Sequence, residues 1–513
     1  MRSSKTVWVR PLFAMSFACS IQAAAHASIL GCGPALQALS APASSNRVDP
    51  LVSADETAAS SKAAADAQMA IDLDPLRTPN QNPVAQTPAT PPNPATPAEP
   101  TTRALPSPIQ SPPFPLPDWA VNGYSPIGEN WDAPVWPLQK ALVGDKWTKS
   151  GWRFYGWLDA GIEESSSKRS NAPLTYGFVP NHPELDQLVF RIERQPDTVQ
   201  TSHNDWGFRF TQLFGIDYRF TAGDGWDFDQ LQKRNQLYGY DPVELFGMYY
   251  LPKVAQGMVI QAGRYISPPD IEAQLAPQNY LFSHSLMFSV DPYTYTGINA
   301  QTRFSPYFTL MTGVHAGNDT SPWEKSGELE AEIMLGLNSK SNYDSIWFGL
   351  DSIGDGHFRG GHDNMQVAIA TWGHKFSKLW HMQTQGYYLW EYDAAKGGTE
   401  IDGPNEPYAS GGGPGPILPG QSHAVGYVNY LEYQIDNFSY ATFRTDYLDD
   451  PEGWRTGINN GYYSLTAGYS RNITPTCTVR PEVRYESATM NPAYDFGTRK
   501  TQWTLGGDLI FRF

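Results

Sequence analysis

The chain has 513 residues, of which only 17% are Asp, Glu, Lys or Arg while 13% are aromatic, with 45 Gly and 43 Pro; globular chains carry about 25% charged residues. A mean hydropathy of −0.44, with no apolar run of about 20 residues beyond the first thirty, excludes a bundle of transmembrane helices. A net charge of −16 argues against nucleic acid, whose phosphates call for a basic face, and three cysteines are too few for a disulfide scaffold.

The amino terminus has the grammar of an export signal. Arg2, Lys5 and Arg10 make a basic start, Leu12 to Ala25 an apolar stretch, and Ala25-His26-Ala27 an A-x-A cleavage pattern, so residues 1–27 are expected to be a signal peptide. Gln22 and His26 interrupt the stretch well short of bilayer thickness, against an uncleaved anchoring helix. Ile29-Leu30-Gly31-Cys32 is similar to a lipoprotein signal, in which Cys32 would be acylated; the plainer alternative is an ordinary thiol. Cleavage takes away three basic and no acidic side chains, leaving a net charge of −19.

Residues 28–117 read as a flexible arm. To about Arg77 the arm is rich in Ala, Ser and Asp, with one capping-box spacing at Ser53 and Glu56 and an apolar face made mostly of alanine, too small to bury much surface. From Pro79 to Pro117 proline recurs every few residues, which favours an extended polyproline-type spacer; at about 3.1 Å per residue it could reach on the order of 120 Å. The arm is read either as a tether toward peptidoglycan or as a passive linker, with residues 118–149 as connector.

After about Ser150 period-two alternation takes over. In Trp503 to Phe513 one face carries Trp503, Leu505, Leu509, Phe511 and Phe513 and the other Thr504, Asp508, Ile510 and Arg512, a two-faced strand long enough to cross a bilayer at a tilt. Residues 477–486 place Val479, Pro481, Val483 and Tyr485 on one face and Arg480, Glu482, Arg484 and Glu486 on the other. A soluble sandwich could also expose four such charges, and counting separates the two readings. Candidate strands fall near 151–162, 186–195, 205–216, 242–251, 257–266, 293–303, 307–316, 331–338, 343–352, 364–375, 379–392, 424–435, 438–448, 461–471, 477–487 and 501–513, about sixteen in all. Short turns, as at Asp436-Asn437, alternate with long stretches, as at 219–241 and 267–292. This predicts an all-β fold: a transmembrane antiparallel β-barrel of about 16 strands over 150–513, with aromatics such as Tyr387-Tyr388-Leu389-Trp390 and Tyr462-Tyr463 at the membrane interfaces.

Three stretches carry a family resemblance: Trp206-Gly-Phe-Arg-Phe-Thr-Gln-Leu-Phe-Gly-Ile-Asp-Tyr218, the run Tyr238 to Pro252, and Gly263-Arg-Tyr-Ile-Ser-Pro-Pro269 followed by Asn279 to Phe288. With them, residues of about 150–513 resemble the OmpL-like outer-membrane β-barrel porins. The terminal Phe513 is similar to the carboxy-terminal aromatic that such barrels present to the barrel-assembly machinery. The resemblance implies a Gram-negative outer membrane, contact with its lipid, and passage of small solutes. The long proline-rich arm departs from a simple porin.

No G-x-S-x-G, H-E-x-x-H or P-loop pattern occurs, so no catalytic residue, cofactor or metal is expected. His357 and His362, with Asp355 and Asp363, form the closest histidine pair and read as a solvent-facing polar turn rather than a metal site. Putting the apolar faces toward lipid predicts a lumen lined by Arg191, Glu193, Arg209, Glu391, Glu432, Arg444, Arg480, Glu482, Arg484 and Glu486, with Phe511 and Phe513 at the closing strand. The expected function is a passive diffusion channel. The alternatives are a non-conducting barrel serving as adhesin or binding protein and, less favoured, an outer-membrane hydrolase. Because the arm has too little apolar surface to join a packed wall, deleting residues 28–117 should leave the β-type circular dichroism of the detergent-folded protein unchanged. Loss of that signal would make the arm part of the folded body.

Overall fold

A strand whose alternate side chains are apolar can turn one face to lipid, but its backbone N–H and C=O groups still need partners, and a sheet in a bilayer satisfies them all only by closing on itself. The chain does this. The computed structural model describes residues 127–128, 136–142, 144, 149–177, 179–227, 234, 236–268, 270–360, 362–397 and 415–513. The expected signal peptide, the arm and much of the connector lie outside the described residues.

Sixteen strands form one closed antiparallel barrel: β1 (Trp152–Ser165), β2 (Pro183–Arg194), β3 (Asp205–Gly215), β4 (Gly239–Leu251), β5 (Met258–Ile266), β6 (Thr294–Ser305), β7 (Phe308–Asn318), β8 (Glu330–Asn338), β9 (Asp344–Ile353), β10 (Gln366–Lys375), β11 (Trp380–Tyr392), β12 (Gln421–Asp436), β13 (Ser439–Asp450), β14 (Asn460–Thr474), β15 (Cys477–Ala488) and β16 (Thr501–Arg512). Each strand pairs with its sequence neighbours, and β1 pairs with β16 from Trp157↔Arg512 to Ser165↔Thr504. Two further bonds, Gly156 N–H to Phe513 C=O at 3.1 Å and Phe513 N–H to Gly156 C=O at 3.0 Å, carry the seam to the last residue. One barrel end has short turns such as 306–307, 437–438 and 475–476; the other has long connections such as 216–238, 267–293 and 393–420.

Two prolines inside strands sit where the ladder can spare a donor. Pro242 falls at the irregularity where β3 pairs jump from Thr211↔Glu244 to Leu213↔Asp241. Pro481 falls where the β14–β15 pairs skip from Gly468↔Glu482 to Arg471↔Val479. In both places the missing N–H costs no ladder bond. On β2 a shift opposite Asp159/Ala160 turns both Asp186 and Gln187 inward.

The outer surface is apolar: Trp503, Leu505, Leu509, Phe511, Val483, Phe443, Leu465, Val425 and Ile333 are all exposed. Aromatic residues recur there, with Tyr485 near Tyr463 (6.1 Å between ring centres) and Trp503 (4.7 Å). Only half of the expected aromatic belt is on this face. Tyr388 and Trp390 are near neighbours at 5.5 Å, whereas Tyr387, Leu389 and Tyr462 are buried, because strand alternation sends neighbouring rings to opposite sides.

The connector meets the barrel at its short-turn end. In the helix α1 (Pro137–Leu142), the buried Gln139 donates to the Trp152 carbonyl at 3.1 Å and accepts from the Phe154 N–H. Trp136 packs in a buried cluster with Tyr155, Trp157, Val189, Leu213 and Ile510. Gly128 N–H donates to Thr198 Oγ1 at 3.1 Å, and Arg303 bonds the Ile127 carbonyl.

Val483 lies at the centre of β15, paired with Ala467 and Leu505, and faces outward. Val483→Arg should lower stability by about 2–4 kcal/mol, the cost of an arginine on the lipid face near the midplane. A reduced urea midpoint in lipid vesicles measures it, and an unchanged midpoint would mean that this face does not meet lipid.

Candidate functional site

Closing the barrel turns every second residue of every strand toward the interior, and in this chain many of those residues are charged. All ten charged residues assigned to the lumen from sequence point inward and are at most 4% exposed. Arg444, Arg480 and Glu482 are covered by the segment between β5 and β6, which folds into the barrel instead of standing outside it as an outer loop. Described over 270–293, this segment lies against strands on both sides of the interior.

Its polar contacts explain much of the charge on the wall. Arg480 Nη1 donates to the carbonyls of Ala276 (2.8 Å) and Asn279 (2.9 Å), while its Nε is 3.0 Å from Asp508 on β16. Glu482 accepts the N–H groups of Phe282 (3.0 Å) and Ser283 (3.1 Å). Arg444 reaches Ser283 Oγ at 3.0 Å and Thr466 at 3.1 Å, and Asp446 accepts Leu286 N–H at 2.9 Å. Within the segment Glu272 accepts Ser285 N–H at 2.8 Å and Tyr430 OH at 2.7 Å; burial pushes its carboxyl up to about 7 against the pull of Arg444. Burial holds His284 well below the usual imidazole range, with Arg444 adding to it. Each backbone group met by a wall side chain would otherwise be a buried amide without a partner.

The same segment carries an apolar stripe. Leu281, Leu286, Met287 and Val290 pack in one cluster with the inward-facing Val367, Ile369, Leu389, Val428 and Leu448. Two wall glycines let it approach: a Cβ at Gly426 would overlap Met287, and one at Gly468 would overlap Leu281. Leu275 and Ala276 pack at the opposite side with Trp157, Val189 and Leu213. A sixteen-stranded barrel has room for a wide aqueous channel. Here much of that room is filled by the chain itself.

The remaining predicted residues form separate groups. Arg191 pairs with Glu244 (2.7 Å), and Arg209 bridges Glu193 (3.0 Å) and Glu244 (3.1 Å), with Tyr155 OH on Glu193 at 2.8 Å. Glu391 accepts Asn364 N–H at 2.6 Å, Glu432 lies 3.4 Å from His381, and Arg484 pairs with Glu486 at 2.8 Å. These are paired side chains on the wall rather than one converged centre. The backbone of Phe513 closes the seam, and the Phe511 side chain faces outward.

The histidine turn does not converge. His357 is 3.5 Å from Asp393, His362 is buried 3.2 Å from Asp224, and Asp363 pairs with Arg455. The expectation of a solvent-facing turn therefore needs correcting for His362 and Asp363, which are both buried, the first against Asp224 and the second against Arg455. Among the described residues no group of three or more His, Cys, Asp or Glu side chains is placed to hold a metal ion.

Sequence reasoning put Asp508 on the polar face of the last strand without making it a partner of Arg480, missed Glu244 and Asp446 as acidic partners, and did not place the 270–293 segment inside. A signal was present: Leu281, Leu286, Met287 and Phe288 are unusually apolar for a loop in water.

The chain is similar at a low level to several solved porins. OprB of Pseudomonas putida is 10% identical (TM-score 0.45), covering 73% of this chain and 97% of that one. An anion-selective porin from Comamonas acidovorans is 9% identical (TM-score 0.44, 71% and 99% covered), and OmpF of Salmonella typhi is 10% identical (TM-score 0.43, 71% and 99% covered). No curated protein matches the chain by sequence. The family model described as "Putative beta-barrel porin-2, OmpL-like" matches residues 151–513, the whole barrel from β1 to the last residue. The chain therefore belongs to this OmpL-like β-barrel porin family, a family of the outer membrane.

Proposed function

We propose that the protein is a passive diffusion channel for small hydrophilic solutes, exported by cleavage of residues 1–27, and that the inward segment 270–293 sets the width of its path. The observation that carries this reading is the pairing of an apolar outer surface with a charged interior in a closed barrel of sixteen strands. Of the ten predicted residues, Arg444, Arg480 and Glu482 then shape the path by holding the segment in place, and the other seven stand in separate groups on the wall. No reaction is assigned to the protein, and solutes cross by diffusion.

A second reading has its own observation. The apolar cluster of Leu281, Leu286, Met287 and Val290 against the wall favours a closed, non-conducting barrel that binds or adheres. Conductance of the purified full-length protein in planar bilayers separates the two: discrete channel events support diffusion, and their absence supports the closed barrel.

Arg480 and Arg484 give a sharper test. Arg480→Glu would set a carboxylate against Asp508 and leave the Ala276 and Asn279 carbonyls without their donor. Breaking a buried ion pair costs about 3–5 kcal/mol. The Arg480→Glu, Arg484→Glu double variant should therefore loosen the segment, raise unit conductance and shift the reversal potential toward cations under a salt gradient. An inserted double variant with unchanged conductance and reversal potential would remove both residues from the path.

We further propose that Phe513 is read by the barrel-assembly machinery. It lies at the short-turn end of the seam, where a lipid-face charge costs only about 0–1 kcal/mol. Phe513→Asp should thus lower the amount of heat-modifiable barrel in membranes while hardly changing the stability of molecules that do assemble. Normal membrane levels would defeat this role.

A further inference from the structure

At the end of the barrel with the long connections, β1 finishes where β16 begins, and the two connections stay in contact beyond the seam. Ser166 N–H donates to the Trp503 carbonyl at 2.9 Å, Trp503 N–H donates to Ser166 Oγ at 2.9 Å, and Arg499 bonds the Ser166 carbonyl. Lys168 and Arg169 stand on one connection and Arg499 and Lys500 on the other, all four exposed. In outer-membrane barrels the long connections face the outside. The grouping of four cations runs against a net charge of −16 for the whole chain.

The grouping is held in shape. Asp495 Oδ1 accepts the backbone N–H groups of Lys168 (3.3 Å) and Arg169 (2.9 Å) and the Nε of Arg169 (3.3 Å), while Arg169 Nη2 donates to the Asp495 carbonyl. Asp495 and Phe496 sit at φ of 52° and 59°, the left-handed region that side chains of their size rarely adopt. The Phe496 ring is 45% exposed, with the Arg169 guanidinium 4.9 Å from its centre. The ammonium groups of Lys168 and Lys500 have neither an ion pair nor a hydrogen bond among the described residues. Asp495, taken up by Arg169, and Glu164, exposed on the outward face of β1, offset the four cations only in part.

The height of the grouping identifies what it meets. Trp503 and Leu505 face outward at 57% and 63% exposure, and Trp503 continues through Tyr485 to Tyr463 as a row of rings. Such rings sit where hydrocarbon gives way to headgroups. Ser166 is bonded to the backbone of Trp503, so Lys168 and Arg169, two and three residues further, stand just above that boundary. Cations at headgroup level attract phosphate, which guanidinium and ammonium groups bind through charge-assisted N–H donors. The exposed ring of Phe496 and the side chain of Met490 beside them suit an acyl chain and have no use for a free anion.

We propose that Lys168, Arg169, Arg499 and Lys500 form a docking surface for the phosphorylated headgroup of an outer-leaflet lipid, with Phe496 and Trp503 against its acyl chains. The headgroup touches the connection that follows the first strand and the one that precedes the last, so a bound lipid clamps the outer end of the seam. A ligand that binds only the closed barrel stabilises it. The proposal is independent of whether the barrel conducts.

The full-length protein, folded in detergent, is mixed with diphosphoryl lipid A or with its dephosphorylated form, and bound lipid is counted by native mass spectrometry. The diphosphoryl form should bind about tenfold more tightly. The Lys168→Ala, Lys500→Ala double variant removes two ammonium groups that bond nothing, so it should fold, and it should lose about tenfold in affinity. Lys375→Ala, Lys378→Ala, at the short-turn end after β10, should leave binding unchanged. Diphosphoryl lipid A should also raise the heat-modifiability midpoint of the unmodified protein and not that of the Lys168→Ala, Lys500→Ala variant. Equal binding of the two lipids by the unmodified protein would overturn the proposal whatever the variants do. So would full affinity in the folded Lys168→Ala, Lys500→Ala variant or an equal loss in the short-turn pair. Displacement of the lipid by inorganic phosphate would make this a free-anion site instead, and a midpoint unmoved by bound lipid would remove the clamp.

Discussion

Everything in this molecule depends on the seam between its first and last strands. A backbone amide in hydrocarbon has no water to bond, so a sheet with an open edge cannot persist there. The pairs from Trp157↔Arg512 to Ser165↔Thr504, with Gly156 and Phe513 beyond them, remove that edge. Once the ring is closed, alternation leaves no choice about the side chains: with Val483 and Leu505 outside, Arg484 and Thr504 are inside. The charged interior is a consequence of having an apolar exterior.

That consequence creates a second demand, because charges inside a barrel must meet water, partners or one another. The interior answers it with chain. The 270–293 segment turns backbone carbonyls to Arg480, N–H groups to Glu482 and Asp446, and the Ser283 side chain to Arg444, while its apolar residues fill the space between. Wall and segment therefore stabilise each other. The wall charges need the segment's amides, and the segment, which has only short 3₁₀ turns of its own, needs the wall. Among the described residues this mutual satisfaction is incomplete at several points spread over the interior, Asp186 Oδ2, Glu391 Oε2 and Glu482 Oε1 among them.

The barrel was legible to an unusual degree. Each of the sixteen strands lies within a few residues of its expected place, because a lipid-facing strand obeys one simple pattern over its whole length. The inward direction of Arg191, Glu193, Arg209, Glu391, Glu432 and the charges of β13 and β15 follows from the same alternation. What these side chains touch does not, since Arg480 finds Asp508 some 28 positions away and Glu482 finds Phe282 across 200. The aromatic runs show the limit from the other side: Tyr387 and Tyr388 are identical in kind and adjacent, yet one bonds Met287 inside and the other faces out. His362, read with the solvent, is buried on Asp224, a partner in a distant connection.

The sequence by itself determined the number of strands, their order, which face of each meets lipid and that the interior would be charged. All of these follow from local alternation and from the need to close a sheet in hydrocarbon. Only the tertiary structure decided where the long connections go. A loop rich in Leu, Met and Phe can leave water by several routes, and its choice of the barrel interior depends on complementary groups from strands far apart in the chain, brought to one place only after the ring is closed.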